Sequence, residues 1–129
     1  MYERILVLTD GSDNAKNAGI EAVKLAKKLD ASVVITYIFD QRLATIANQE
    51  EEGQKFINAI KDYAIEENIG AEDLLIYGSR KNDVMIIARK SDVDLIVMAR
   101  HGNTKNKSTL MGEFTEFVVK NIPLPVLLI

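Results

Sequence analysis

Short apolar runs alternate along the chain with longer stretches in which apolar residues recur every three or four positions. The runs RILVLTD (4–10), SVVITYIF (32–39), DLLIYG (73–78), DLIVMA (94–99) and PVLLI (125–129) are aliphatic or β-branched at mostly consecutive positions and too short for helices. Strands covered on both faces read this way, as in a parallel sheet. Between the first two runs, Ala15, Ala18, Ala22, Leu25, Ala26 and Leu29 fall on one helical face behind Ser12, an N-cap or pre-cap residue. Phe56, Ile57, Ile60, Tyr63 and Ala64 predict a second helix, stopped by Asn68 and Gly70. Val84, Ile87 and Ala88 predict a shorter third. Leu110, Met111, Phe114, Phe117 and Val118 predict a fourth, opened by Ser108 and Thr109 and ended by NIPLP (121–125). The order βαβαβαβαβ implies an α/β fold: a five-stranded parallel sheet with helices on both faces and right-handed crossovers, Rossmann-like in plan. The segment DQRLATIANQ (40–49) is the least regular and reads as a connection.

With 129 residues the chain has room for one core, so residues 1–129 are expected to form a single domain. Its 47% hydrophobic and 27% charged residues suit a packed fold rather than a disordered one. Sixteen basic against nineteen acidic residues give a net charge of -3, which offers no global attraction to nucleic acid. No apolar run is long enough to span a bilayer, and MYERILVLTD lacks the pattern of a signal peptide, so a cytoplasmic location without membrane partners is expected. The absence of cysteine excludes disulfides and thiolate chemistry.

In open parallel sheets ligands bind beyond the carboxyl ends of the strands, which directs attention to the residues after strands one, two and four. After strand one, TDGSDN places Asp10 and Ser12 before a helix start. Both suit a turn and a cap, and a carboxylate there also suits a ribose or a base. After strand four, MARHGNTKNKSTLMGE (98–113) gathers Arg100, His101, Lys105 and Lys107 around Gly102. Glycine lets backbone N–H groups approach an anion and lysines attract phosphate; a solvated basic loop with ordinary Ser/Thr capping has the same composition. GNTKNKS (102–108) lacks the second glycine of a P-loop, and no G-x-G-x-x-G follows any strand. His101 is the sole histidine and suits a hydrogen-bonding role better than metal ligation. Glu50, Glu51 and Glu52 read as solvated acids at a helix start. No serine has an evident base partner apart from His101, and no nucleophile elbow is present.

From ILVLTDGS through DLIVMARHG to LMGEFTEFVVKNIPLPVLLI the chain resembles the universal stress protein family. That family carries glycine, two residues, glycine, nine residues, glycine, then Ser or Thr. Ala99, Gly102, Gly112 and Glu113 occupy those positions here with the spacing intact. The resemblance implies an adenine-nucleotide site for ATP, with Asp10 near the adenosine, Ile38 beside the base, and Gly102 and Gly112 around the phosphates. It also implies a homodimer through the C-terminal strand PVLLI. Two positions depart from the pattern: Ala99 stands for the first glycine, and Glu113 for the hydroxyl residue. A carboxylate about 4 Å from a phosphate charge costs on the order of 4 kcal/mol at an effective dielectric near 20. Glu113 is therefore an obstacle to ATP, a ligand for a bridging Mg²⁺, or simply an acid favoured in the first turn of a helix. Two functions follow from this: an adenine-nucleotide-binding regulatory domain in the stress response, or a non-nucleotide-binding relative acting through dimerisation and protein contacts. With no general base evident except Glu113 itself, slow ATP hydrolysis is the most catalysis the sequence supports.

Overall fold

The computed structural model describes residues 2–40, 46–102 and 111–129. Nine elements alternate in order: β1 (Arg4–Leu8), α1 (Asp13–Leu29), β2 (Ser32–Asp40), α2 (Ile46–Glu66), β3 (Ala71–Gly78), α3 (Arg80–Lys90), β4 (Leu95–Met98), α4 (Glu113–Asn121) and β5 (Val126–Leu128). Every strand pairing is parallel and the sheet order is β3-β2-β1-β4-β5. The order reverses at β1, whose neighbours are β2 and β4. Crossovers from β1 therefore leave in both directions and open a crevice at its carboxyl end.

The apolar strands are buried because both faces are covered. On one face Ile5, Val7, Val33 and Ile35 pack against Ala22, Val23 and Ala26 of α1 and Ile57, Ile60 and Ala64 of α2. On the other, Leu6, Leu8, Val34, Ile38 and Ile96 pack against Val84, Ile87 and Ala88 of α3 and Val118 of α4. Successive residues of a strand point to opposite faces, so each consecutive apolar run feeds both layers. Small residues at Ala15, Ala18, Ala22 and Ala26, all buried, bring α1 close to the sheet, while Leu29 at the end of the same pattern is exposed.

Several boundaries differ from the sequence reading. β3 begins at Ala71, two residues early, where Glu72 pairs in register with Val34. α2 begins at Ile46, so the back of the supposed connection 40–49 is helical; residues 41–45 lie outside the described residues. As a result Glu50, Glu51 and Glu52 lie beyond the first turn of α2, not at its start, and owe nothing to the helix terminus. α4 begins at Glu113 behind Gly112 as N-cap, and Met111 precedes the helix. Lys105, Lys107, Ser108, Thr109 and Leu110 lie outside the described residues.

At the amino edge of the sheet, Asp94 accepts from the backbone N–H groups of Glu3 (2.8 Å) and Arg4 (3.1 Å). Arg4 reaches across β2 to Glu72 with paired bonds of 3.1 and 2.9 Å. These contacts hold the end opposite the crevice. Among the described residues no helix is long and apolar enough to cross a membrane.

Candidate functional site

The chain leaves β1 through Thr9 and Asp10 into a tight turn. Gly11 has φ +85°, a left-handed conformation open to glycine, and the Phe56 ring lies where a Cβ would project. The turn is bonded internally: Gly11 N–H donates to Thr9 Oγ1 (3.1 Å), Ser12 N–H to Asp10 Oδ1 (2.9 Å), and Ala15 N–H to Ser12 Oγ (3.1 Å). Ser12 is thus the N-cap of α1 that the sequence suggested, and Asp10 is oriented at the carboxyl edge of the sheet.

The turn after β4 closes against this one. Gly112 N–H donates to Arg100 O at 2.7 Å, and Thr115 Oγ1 donates to Ala99 O at 2.9 Å, so the start of α4 is stitched to the chain leaving β4. Gly102 lies against Asp10 so closely that a Cβ there would occupy the position of its carboxylate. The constraint is one of space, since a side chain at Gly102 has to push the Asp10 carboxylate aside, and not of conformation, because Gly102 does not have positive φ. Ala99 has no positive φ either, so replacing a glycine there introduces no backbone strain. Gly112, at φ -69°, is likewise in a conformation any residue adopts.

The six residues expected to form the nucleotide site, Asp10, Ile38, Ala99, Gly102, Gly112 and Glu113, all border one cavity of about 250 Å³, whereas Ser12, Arg100 and His101 are not among its lining residues. Small-molecule pockets begin at about 300 Å³, so this one lies just below that range and has room for part of a ligand, such as a heteroaromatic ring. Its floor is apolar, made by Leu8, Ile38 and Met98, and Phe114 forms part of its wall. Four polar or charged lining residues were not among the expected ones: Thr9, Thr36, Arg80 and Thr115. Arg80 follows β3, whose carboxyl end the sequence gives no reason to expect at a ligand, and its guanidinium lies 5.9 Å from the centre of the Phe114 ring. Thr36 falls on the same face of β2 as the buried Val34 and Ile38, inside a run that reads as an ordinary buried strand.

Of the three roles open to Glu113, its direction suits the acid in the first turn of a helix. Glu113 borders the cavity from the first turn of α4, but its side chain is 87% exposed and its carboxylate pairs with Lys81 Nζ at 3.2 Å. A charge turned to solvent and screened by a lysine does not impose the penalty expected of a carboxylate facing phosphate. His101 leaves Nδ1 buried without a hydrogen-bond partner. Among the described residues no three His, Asp or Glu side chains are grouped to hold a metal ion.

A parallel α/β sheet with a crevice at its switch point, flanked by a tight acidic turn and the start of a helix, belongs to the class of nucleotide-binding α/β folds. Residues 1–129 match the universal stress protein family, and the chain belongs to that family. Universal stress protein MJ0577 of Methanocaldococcus jannaschii is 31% identical over 155 residues, covering 100% of this chain and 95% of its own. Its solved structure aligns with a TM-score of 0.84 at 27% identity, covering 100% of this chain and 96% of that one. A universal stress protein in complex with cAMP aligns at TM-score 0.77 and 20% identity over 99% of this chain and 97% of its own. The universal stress protein of Archaeoglobus fulgidus in complex with dAMP aligns at 0.78 and 18% over 98% and 97%.

Proposed function

We propose that this chain is a regulatory domain of the stress response that binds an adenine nucleotide, AMP or ATP, in the cavity at the carboxyl edge of β1, β2 and β4. The observation that carries this reading is the convergence of Asp10, Ile38, Ala99, Gly102 and Gly112 on one cavity with an apolar floor. A planar base suits Leu8, Ile38 and Met98; a ribose hydroxyl suits Asp10; and phosphates suit the open side near Gly102, Gly112 and the start of α4, where helix N–H groups favour anions. Arg80 adds a cation beside the same opening. The cAMP and dAMP of the two related structures share adenine and one phosphate, which favours the same ligand class here. Mg²⁺ would enter with the phosphates of ATP as their counter-ion.

The outward turn of Glu113 removes the main reason for preferring a family member without a nucleotide. Isothermal titration of the purified chain with AMP, and with ATP and Mg²⁺, tests the reading. Saturable heat is expected for at least one of them, and none with either at millimolar concentration would overturn it. A release assay for inorganic phosphate is expected to stay near background, in keeping with a binder.

The same reading includes a homodimer. β5 forms one edge of the sheet, and Leu127 and Ile129 are each 40% exposed along it. An apolar edge strand invites pairing with a second chain, and its own copy is the simplest partner. The cytoplasmic location expected from the sequence fits both parts of the proposal.

A further inference from the structure

Thr36 is 1% exposed, and its hydroxyl has no hydrogen-bond partner. A buried hydroxyl left unmade is costly, and valine would fill the same shape without that cost. Its neighbours on the α3/α4 face of β2 are aliphatic: Val34 precedes Thr36 and Ile38 follows it on that face. The hydroxyl is therefore not serving the core. Thr36 itself lines the base of the candidate cavity, together with Leu8, Ile38 and Met98, with its hydroxyl closed off from solvent.

Its depth indicates what it meets. In the sheet Thr36 lies opposite Leu8 of β1 and Leu74 of β3, two residues back along β2 from Ile38. Two residues of a strand span about 7 Å, so the hydroxyl sits one pleat deeper than Ile38, away from the open rim. The charged residues bordering the cavity, Asp10, Arg80 and Glu113, belong to the turn after β1 and the first turns of α3 and α4. A nucleotide entering between them carries its phosphates to the rim and its uncharged ring to the floor.

We propose that Thr36 is a specificity-determining residue whose hydroxyl hydrogen-bonds a polar edge atom of the bound base. This rests on the cavity being an adenine-nucleotide site and adds the residue that reads the ring. A hydroxyl both donates and accepts, so its rotor serves a ring nitrogen or an exocyclic amine. The apolar surfaces of Leu8, Ile38 and Met98 supply contact area without preference among planar rings, which leaves Thr36 as the polar discriminator on the floor.

The test compares wild type, Thr36→Val and Thr36→Ser by calorimetric titration with AMP and with adenosine, alongside thermal melting of each protein without ligand. Thr36→Val is expected to weaken AMP and adenosine by the same factor, about tenfold, because one hydrogen bond to the base is lost and the phosphate is not involved. Its unliganded melting midpoint is expected to equal or exceed that of wild type, since an unpartnered buried hydroxyl has been removed. Thr36→Ser is expected to bind within about twofold of wild type, by the same hydrogen-bond arithmetic. If wild type binds AMP and Thr36→Val binds it equally well, the hydroxyl does not touch the base and the inference fails while the nucleotide site stands. A weakened Thr36→Val with a lower melting midpoint and no recovery in Thr36→Ser would show a merely structural role and also overturn it. If wild type binds neither AMP nor adenosine, the nucleotide reading itself falls, and the inference with it.

Discussion

Gly102 and Asp10 form the tightest constraint in the candidate site, because the space for a Cβ at Gly102 is taken by the Asp10 carboxylate. Gly102→Ala must displace that carboxylate, and AMP affinity in a calorimetric titration is expected to fall at least tenfold; an unchanged affinity would remove Asp10 from the site. Glu113 is expected to behave in the opposite way. With its carboxylate exposed and paired to Lys81, Glu113→Ser should change nucleotide affinity by no more than about threefold, the scale of a surface ion pair. A gain of several decades would restore the electrostatic clash expected from the sequence. The residues of the site were legible where chemistry and chain position coincided, as at Asp10 and Gly102. Thr36 was hidden by its neighbours, since one threonine in a β-branched run has ordinary strand propensity and only burial makes its hydroxyl conspicuous. The direction of the Glu113 side chain was not legible at all, because it depends on Lys81, 32 positions away in the chain.

At the scale of elements, β1 is anchored at its two ends by different chemistry. At the amino end Asp94 accepts two backbone N–H groups, and Asp94→Ala should lower the unfolding free energy by about 2 kcal/mol in urea titration. At the carboxyl end Gly11 in the left-handed region faces Phe56 of α2, so Gly11→Ala should cost about 2 kcal/mol from backbone strain alone, with more from the ring contact. The Arg4 guanidinium hydrogen-bonded to Glu72 holds that carboxyl below its ordinary 4.5. A carboxylate with a depressed value contributes stability that is present above the unfolded value and is lost as pH falls through the folded one. Glu72→Gln is therefore expected to flatten the decline of stability below about pH 4.5, modestly because the pair is exposed. Strand positions were readable to within two residues, since runs buried on both faces carry a strong signal. Helix starts were less so. α2 opens with residues that lack the apolar period of its later turns, and α4 is capped by Gly112 without a side-chain bond, which leaves no Ser or Asp to mark the boundary.

For the whole molecule, the order β3-β2-β1-β4-β5 accounts for both proposed activities: the reversal at β1 makes the crevice, and the far side leaves β5 as an edge. Light scattering on a sizing column is expected to give twice the monomer mass, and Leu127→Lys with Ile129→Lys to give the monomer; a monomeric wild type would contradict the dimer. The chain has a second cavity of about 480 Å³ between α3 and α4, lined by Met85, Ala88, Arg89, Val93, Ile122 and Leu124 among others. It is the larger of the two, but it lies toward the amino edge of the sheet, away from Asp10 and Gly102. Size alone would favour it; the topology and the converging polar groups favour the smaller one. An amide NMR titration of the isotopically labelled chain with AMP decides between them most directly. The account predicts progressive shifts confined to the amides of Thr9 to Ser12, Ile38, Ala99 to Gly102 and Gly112 to Thr115. Unmoved amides there at millimolar AMP, or shifts gathered instead around Met85 and Leu124, would contradict it.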